Sequence, residues 1–271
     1  MTVKAFISRL ERFDRVGSTN DVVRDWLEAG TPEVCLAVAD EQTSGRGRSG
    51  RSWVAPPGAA LLLSLGFRPA WTEPERAWRV VSTVSMAMAE AAEEIAGLAA
   101  GAVRLKWPND HVVEADGDGP RKLAGVLGET RGMGTQDPRL VVGIGVNADW
   151  RVEAFPPELA GSMTSLREAG GGRPIDLVRL RQAFLDRLIV GIEALRAGRF
   201  DGRAWEARQL TTGRMVRLDL GERQETVRAV GVDADTGALL VADPGAQNGV
   251  RQVLVGEIGH VRIADHASAG V

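Results

Sequence analysis

Residues 45–53, Gly45-Arg46-Gly47-Arg48-Ser49-Gly50-Arg51-Ser52-Trp53, put three glycines and three arginines between two apolar runs. The runs, at 34–40 and 59–67, have the length and composition of buried strands. Glycine lets backbone amides approach an anion closely, and arginine offers paired donors in a planar fork. The segment is therefore consistent with a phosphate- or carboxylate-binding loop, with a solvated, mobile loop, or with an RGG-like tether for nucleic acids. It is not a P-loop, because no Gly-Lys-Ser/Thr closes it.

Helical and strand patterns intermix around this loop. Apolar residues at three- and four-residue steps predict long helices over 75–95 and 175–195, and Ser18-Thr19-Asn20 offers capping side chains for a short helix that ends at Gly30. Three more segments predict strands at 103–107, 122–129 and 140–146. Beyond about residue 211, short strands and turns predict a small all-β module, so the chain is α+β.

Composition excludes several classes of protein. The 271 residues include 33 basic and 36 acidic side chains, a balance that argues against non-specific nucleic-acid binding. One cysteine excludes an intramolecular disulfide and a cysteine zinc cage, and with three histidines we assign no metal ligands to the chain. No apolar run reaches the ~18 residues of a membrane span or forms a signal peptide, so we expect no membrane partner and a cytoplasmic protein.

Three further segments place polar groups or glycines next to strands. They are Lys106-Trp107-Pro108-Asn109-Asp110, Lys122-Leu123-Ala124-Gly125 and Gly143-Ile144-Gly145-Val146-Asn147. Each alone has an ordinary structural explanation: a Pro-Asn-Asp turn, an edge lysine or a bulge. Considered on its own, Trp53 is consistent with an aromatic side chain of the core and equally with a platform on which a ligand stacks.

Taken together with Ser18-Thr19-Asn20 and Glu41-Gln42, these segments have the order and spacing found in biotin protein ligases, and the chain resembles that family densely over about residues 13–150. Gly256-Glu257-Ile258 resembles part of the family's terminal SH3-like domain. Ser49 departs from the bulky or basic residue that members often carry there. About 12 residues precede the first motif, so we expect a monofunctional type without the DNA-binding domain, and no DNA partner.

The resemblance implies a mixed β-sheet catalytic domain flanked by helices, of the class II synthetase-like biotin/lipoate ligase type, with a small C-terminal SH3-like β-barrel. The expected domains are a catalytic biotin/ATP-binding domain at 1–210, the SH3-like domain at 211–265 and a flexible tail at 266–271. The implied activity is that of an ATP-dependent ligase using Mg²⁺, which forms biotinyl-5'-AMP and transfers biotin to a lysine of the biotin carboxyl carrier domain of an acyl-CoA carboxylase. A homodimer through a strand edge is a further expectation.

The resemblance also implies roles for individual residues. The expected catalytic residues are Lys122, Arg48, Arg46 and Asp110, with Asp110 as a proton acceptor for the incoming lysine. The expected biotin-binding residues are Ser18, Thr19, Asn20, Gln42, Arg46, Gly47, Arg48, Trp53, Lys122 and Gly125. The expected nucleotide-binding residues are Arg48, Arg51, Asn109, Asp110 and Asn147. Fixed cations suit the reaction, because two anions at ~4 Å repel by about 4 kcal/mol at an effective dielectric constant of ~20.

Three alternatives stay open at this stage. A lipoate or octanoate ligase or transferase shares the catalytic fold. A nucleic-acid-binding protein would use residues 45–51 to contact the nucleic acid. The net charge of −3 argues against this alternative. A non-catalytic biotin-binding module would not need four cations to recognise a neutral ring.

Overall fold

The structure is a computed structural model of the chain, and it describes residues 2–115, 119–221, 223–255 and 260–263. The predicted Gly256-Glu257-Ile258 motif and the predicted tail at 266–271 lie outside these residues. The chain divides into two compact units. One comprises Met1–Val103 and Asp110–Phe200, and the other Arg104–Asn109 and Asp201–Val271. The domains expected from the sequence, at 1–210 and 211–265, remain a prediction.

The first unit holds five helices and most of the larger sheet in the described residues. Its helices are α1 (Val3–Phe6), α2 (Thr19–Glu28), α3 (Trp78–Ala96), α4 (Leu166–Ala169) and α5 (Leu177–Arg196). Its strands are β1 (Arg9–Val16), β2 (Cys35–Gln42), β3 (Ala60–Phe67), β5 (Asp110–Ala115), β6 (Gly119–Arg131) and β7 (Arg139–Asn147), and β4 (Val103–Lys106) begins in it. The seven strands follow the order β1-β2-β3-β7-β6-β5-β4. β1 and β2 are parallel, whereas β3 is antiparallel to both β2 and β7, so the sheet is mixed.

Helices cover both faces of this sheet. Leu61, Leu63 and Leu65 of β3 pack in the main core with residues of α3 and α5, including Met88 and Phe184. On the other face, α2 packs its Val23, Trp26 and Leu27 against Cys35, Ala37 and Val141. All eight residues of β3 are buried, which explains its nearly continuous apolar sequence. The α+β fold class predicted from the sequence is confirmed.

The helix ends follow local chemistry. α3 ends where Gly97 adopts a left-handed conformation at φ 67°, and Asp176 accepts hydrogen bonds from the amides of Val178 and Arg179 at the start of α5. Ser18 is the N-cap residue of α2, but its side chain makes no capping hydrogen bond.

The second unit contains a five-stranded antiparallel sheet. Its elements are α6 (Gly202–Ala207), β8 (Met215–Asp219), β9 (Gln224–Val232), β10 (Leu239–Ala242), β11 (Val250–Val253) and β12 (His260–Ile263). The strand order is β11-β10-β9-β8-β12. The segment 104–109 belongs to this unit: Leu105 exchanges backbone hydrogen bonds with Arg208 and Leu210, and the Trp107 indole N–H donates to Gly237 O at 3.0 Å.

No helix among the described residues is long and apolar enough to cross a membrane.

Candidate active site

The site lies on the sheet face that α2 covers, where four neighbouring positions are occupied by three glycines and one serine. Ser64 of β3 pairs with Gly143 of β7, and Gly145 of β7 pairs with Gly125 of β6. A Cβ added to Gly143 would overlap the Asn20 carboxamide, and one added to Gly145 would overlap the indole of Trp53. We call these four positions the glycine floor, because other side chains lie directly on their backbone.

Trp53 is the aromatic side chain above the floor. A Cβ on Gly125 would come within 3.1 Å of its ring, and Lys122 Nζ lies 5.5 Å from the ring centroid. The Trp53 backbone N–H donates to Gly45 O at 2.9 Å, which closes residues 45–53, the Arg-Gly loop, onto themselves. The buried Trp53 Nε1 has no acceptor among the described residues, a state that costs about 1–3 kcal/mol for a buried donor.

A chain of polar side chains runs from the end of β2 across the start of α2. Gln42 Oε1 accepts from the Thr19 backbone N–H at 2.8 Å and lies 3.0 Å from Thr19 Oγ1. Thr19 Oγ1 is 2.7 Å from Ser64 Oγ, which donates to Asn20 Oδ1 at 2.6 Å. Asn20 Nδ2 donates to Glu129 Oε2 at 2.7 Å. Except for Gln42 and Glu129, these residues are buried, as Ser18 is.

Arg46 is tied to carboxylates by its side chain. Its guanidinium donates to both carboxylate oxygens of Asp21, at 2.8 and 2.6 Å, and lies 3.7 Å from Glu129. The hydrogen bond from Arg46, with a further one from Arg24, holds the pKa of Asp21 below its usual value despite partial burial. The fork geometry is bidentate, which fixes the orientation of Arg46 as well as its charge. Arg46 therefore fastens the first half of the loop to the first turn of α2.

A second charged group lies at the other side of the floor. Lys122 Nζ is 2.6 Å from Asp110 Oδ1, and the Asp110 side chain is only 13% exposed. Burial lowers the pKa of the Arg48 guanidinium, the charge of Asp110 opposes that shift, and the charge of Arg51 adds to it. Asp110 thus offsets two cations that face the same region.

The segment 162–164 connects Lys122 to Asn147. Lys122 donates its backbone N–H to Ser162 O at 2.8 Å and accepts from the Thr164 N–H at 2.9 Å. The Asn147 side chain, at the end of β7, donates Nδ2–H to Thr164 O at 3.0 Å. This backbone bridge fixes the relative positions of two predicted site residues that lie on different strands.

The Arg-Gly loop has a defined hairpin shape. Gly47 N–H donates to Arg51 O at 2.7 Å, and Arg48–Gly50 forms one short 3₁₀ turn. Ser49 has φ 56°, in the left-handed region where a residue with a Cβ is strained. Gly45 has no room for a side chain, because a Cβ would lie 2.5 Å from Trp53 O.

Most of the predicted site residues lie in the first unit. These are Ser18, Thr19, Asn20, Gln42, Arg46, Gly47, Arg48, Arg51, Trp53, Asp110, Lys122, Gly125 and Asn147. Asn109 is the exception, since it belongs to the second unit with 104–108. The roles assigned to all of these residues stay predictions.

Comparison with known proteins identifies the family of the chain. The model of the biotin/lipoate A/B protein ligase family matches residues 12–147, half of the chain. The chain belongs to this family. The matched region contains the Arg-Gly loop, the glycine floor and the pair formed by Lys122 and Asp110.

Individual members of the biotin/lipoate ligase family resemble the chain over most of its length. A biotin–[acetyl-CoA-carboxylase] ligase of Mycobacterium tuberculosis is 32% identical over 94% of this chain and 90% of its own. The bifunctional ligase/repressor BirA of Bacillus spizizenii is 27% identical over 90% of this chain and 72% of its own. The solved biotin protein ligase of Aquifex aeolicus in complex with biotin and ATP superposes with a TM-score of 0.76 at 28% identity, covering 95% of this chain and 100% of that one.

Three residues that organise the site of this family member carry no motif in the sequence. They are Ser64, Asp21 and Glu129. A signal existed for Ser64, because one polar residue interrupts the apolar sequence of β3. Asp21 and Glu129 lie among other surface charges, so the sequence offers nothing that separates them from solvated side chains.

A cavity of about 400 Å³ lies away from this site. Its lining residues are Glu28, Arg131, Gly132, Thr135, Asp137 and Arg139, none of which belongs to the predicted set. Its charges are already paired, Arg131 with Glu28 and Arg139 with Asp137. Within the described residues, no group of three or more His, Cys, Asp or Glu could hold a metal ion.

Proposed function

We propose that this chain is an ATP-dependent biotin ligase. It joins the biotin carboxylate to the α-phosphate of ATP, releases pyrophosphate, and transfers the biotinyl group from biotinyl-5'-AMP to a lysine of a biotin carboxyl carrier domain. The observation that supports this proposal most directly is the glycine floor beneath Trp53. Buried neutral polar groups lie at one side of the floor, and the Lys122–Asp110 pair lies at the other. Biotin is polar in the same way, because it has a neutral ring at one end and a carboxylate at the other.

The polar side of the floor suits the head group of biotin. Thr19, Asn20 and Ser64 are buried and uncharged, and Gln42 extends their chain of hydrogen bonds. A ureido ring has both N–H donors and a carbonyl acceptor to pair with such groups. Apolar walls with a few fixed polar groups are the usual composition of a small-molecule site.

The charged side suits the carboxylate and the phosphates. Lys122 and Arg48 supply positive charge, and Asp110 balances that charge in the structure. We assign Lys122 to the substrate carboxylate and α-phosphate, where it offsets the repulsion between the two anions. Once these anions contact Lys122, Asp110 is released to accept the proton of the incoming lysine in the second step.

The nucleotide side is assigned to Arg48, Arg51, Asn109, Asp110 and Asn147. The Arg46 guanidinium is bound to Asp21, so we assign Arg46 to holding the loop and only its backbone to the ligand. Bound to the phosphates of ATP, Mg²⁺ would neutralise part of their charge. No described cluster of acidic residues is shaped to hold the ion alone, so we assign no protein ligand to it.

The main alternative is a lipoate or octanoate ligase, which the family description includes. Neither a dithiolane ring nor an alkyl chain has an N–H or C=O group. Either would form no hydrogen bond with the buried polar chain of Thr19, Ser64 and Asn20, whose groups would be paired only within the chain. The polar chain therefore favours biotin.

The acceptor and the cellular setting complete the proposal. The M. tuberculosis relative is named for acetyl-CoA carboxylase, which supports a carrier domain of an acyl-CoA carboxylase as the partner. We place the enzyme in the cytoplasm. We also propose a homodimer through an edge strand of the larger sheet, which sedimentation equilibrium checks directly.

The deciding experiment is biotin-dependent ATP–pyrophosphate exchange with Mg²⁺, run beside lipoate and octanoate. Exchange with biotin alone supports the proposal. Exchange with lipoate or octanoate instead moves the chain to the alternative. No exchange with any acid, in the presence or absence of a carrier domain, refutes the ligase activity.

A further inference from the structure

Asp21 carries an ion pair that joins two elements of the site, although no predicted motif includes it. It is half-buried in the first turn of α2, directly after Asn20. Its two carboxylate oxygens accept hydrogen bonds from the Arg46 guanidinium, at 2.8 and 2.6 Å. Glu129 is a more distant second partner of Arg46, at 3.7 Å. Since Arg46 lies 25 positions beyond Asp21 in the chain, the pair connects a helix to a separate loop.

The backbone hydrogen bonds of the Arg-Gly loop close the loop on itself. Gly47 N–H donates to Arg51 O at 2.7 Å, and Arg46 pairs with Ser52 across the hairpin. These bonds join loop residues to one another, so they do not fix the direction in which the hairpin points. Three of the nine loop residues are glycine, and ordering a glycine costs more conformational entropy than ordering another residue. A side-chain contact with a neighbouring helix offsets part of that cost.

The surroundings of Asp21 favour its negative charge and also allow the ion pair to separate. The first turn of a helix favours a carboxylate, because its unpaired amides give this end of the helix positive character. Arg24, one turn further along α2, donates to the same carboxylate. The side chains of Asp21 and Arg46 are 35% and 37% exposed, so neither becomes a buried unpaired charge when the hairpin moves away. The contact can therefore hold the hairpin and still release it.

We propose that Asp21 is a positioning residue that holds the Arg-Gly loop against α2 before biotin binds, by pairing with the Arg46 side chain. The ion pair lies wholly within the chain, so its formation does not depend on a ligand. Because the loop is ordered in advance, biotin binding does not have to supply the cost of ordering it. This inference rests on the proposed function and deepens it, because it assigns the preorganisation of that site to a residue outside the motifs. Asp21 acts through Arg46 and is assigned no contact with biotin or ATP.

The first test measures the order of the loop directly. Trypsin cleaves after arginine, and cleavage after Arg48 or Arg51 requires the hairpin to open. At low protease concentration, the rate of cleavage follows the population of the open form. In protein without biotin or ATP, Asp21→Asn should be cut at these two bonds about three- to fivefold faster than the wild type, the effect of losing a partly exposed ion pair. Mass spectrometry of the fragments identifies the bonds that are cut.

The second test asks whether the order of the loop matters for ligand binding. In Asp21→Asn, the Kd for biotin, measured by calorimetry without ATP, should rise by about the same three- to fivefold, because binding must now order the loop. The KM for ATP in pyrophosphate exchange at saturating biotin should stay within about twofold of the wild type, since bound biotin has already ordered the loop. A general loss of stability would not affect biotin alone.

Asp40→Asn is the matched control. Both carboxylate oxygens of Asp40 accept hydrogen bonds from Arg12 Nη2, at 2.9 and 2.8 Å. This pair joins β1 to β2 and does not involve the Arg-Gly loop. Asp40→Asn should therefore leave the tryptic cleavage of the loop and the Kd for biotin within about 1.5-fold of the wild type.

Arg46→Gln tests whether Asp21 acts through Arg46. We expect this variant to speed cleavage after Arg48 and Arg51 by about as much as Asp21→Asn does. Adding Asp21→Asn to Arg46→Gln should then speed cleavage by less than about twofold more, because the effects of two residues in one ion pair are not additive. If Asp21 acted only by stabilising α2, the two effects would multiply.

Several results would overturn the inference. Wild-type cleavage of the loop in Asp21→Asn, an unchanged Kd for biotin, equal losses for biotin and ATP, or multiplying effects in the double variant each refutes the positioning role. If Asp21→Asn does not fold, Arg46→Gln takes its place, and wild-type cleavage in that variant refutes the inference. Wild-type protein that neither binds nor activates biotin refutes the proposed function itself, whereas an active wild type with an unaffected Asp21→Asn refutes only this inference.

Discussion

At the scale of single residues, Lys122 shows why one cation cannot be exchanged for another. Its ammonium lies 2.6 Å from Asp110 and 5.5 Å from the Trp53 ring, a spacing that fits a compact group on a flexible stem. An arginine at this position would carry a wider, planar fork. The chain uses arginine for 30 of its 33 basic residues, which makes a lysine here a specific feature.

We predict that Lys122→Arg slows biotin-dependent pyrophosphate exchange by about ten- to a hundredfold. The charge is retained, but a charge-assisted hydrogen bond of about 1.5–3 kcal/mol is lost from the transition state. Steady-state exchange kinetics measure this effect, and Lys4→Arg at an exposed position is the control. Wild-type rates in Lys122→Arg would remove Lys122 from the proposed role.

Cys35 leads to a prediction about pH. Burial of the thiol raises its pKa from 9.0 to about 11. The unfolded chain therefore loses this proton at a lower pH than the folded chain, and stability falls as the pH rises from 9 towards 11. Cys35→Ala should be less stable at neutral pH because of its cavity, but it should lack this part of the alkaline decline, about 2–3 kcal/mol for a shift of this size. Urea unfolding across that range checks the slope, and identical slopes in both proteins would contradict the assignment.

Sequence reasoning found the residues that lie in motifs and missed those that support them. Thr19, Gln42 and Lys122 are recognisable because the family's spacing marks them. Ser64 and Glu129 acquire their importance only through partners 44 and 109 positions away in the chain, which no local pattern encodes.

At the scale of elements, periodicity predicts the buried strands and helices well. The segments predicted at 34–40, 59–67 and 140–146 correspond to β2, β3 and β7. The prediction omitted β1, since this strand is largely exposed and has no apolar run. No sequence pattern predicts β5 either, because its first residue, Asp110, closes a Pro-Asn-Asp segment that is typical of a turn. Burial on both faces produces a clear signal in the sequence, whereas an exposed edge does not.

The glycine floor supplies a prediction about β7. Gly145→Ala places a methyl group where the Trp53 ring lies, so the ring must move. We expect biotin affinity to fall by about fivefold or more, in line with overpacking costs of about 1–3 kcal/mol. Gly231→Ala in β9 is the matched control, because its Cβ would meet only ordinary contacts at 3.7 and 3.8 Å. Calorimetric titration with biotin measures the difference, and equal affinities in the two variants would contradict the role of the floor.

The Arg-Gly loop supplies a prediction about retention of the intermediate. A loop that closes over a mixed anhydride shields it from water, and Arg48 is the loop arginine whose burial already perturbs its pKa. Arg48→Ala should fold normally but release biotinyl-5'-AMP into solution several-fold faster. Rapid filtration after a single turnover measures the released fraction, with Arg203→Ala on exposed α6 as the control. Equal retention in both variants would argue against a shielding role.

At the scale of the whole molecule, the second unit is assembled from two distant pieces of chain. Trp107 is 3% exposed, and its backbone and indole N–H groups donate to Thr211 Oγ1 and Gly237 O. Burial of a tryptophan of this kind contributes about 4–6 kcal/mol by area. That is comparable to the whole stability of a domain of this size, about 3–10 kcal/mol.

We therefore predict that residues 201–271 expressed alone do not fold cooperatively. Fusing 104–109 to this fragment through a flexible linker should restore a thermal unfolding transition. Circular dichroism during heating distinguishes the two fragments. A sharp transition in the unfused fragment would show that Trp107 is dispensable for this unit.

The same division of the chain has a consequence for protein synthesis. Residues 104–109 leave the ribosome about ninety residues before Asp201, the first residue of the segment that buries Trp107. At a translation rate of roughly 5–20 residues per second, that interval lasts roughly 5 to 20 seconds. During this time the nascent chain exposes Trp107 beside Lys106. We expect a chaperone that binds short apolar segments flanked by positive charge to bind the nascent chain at this segment.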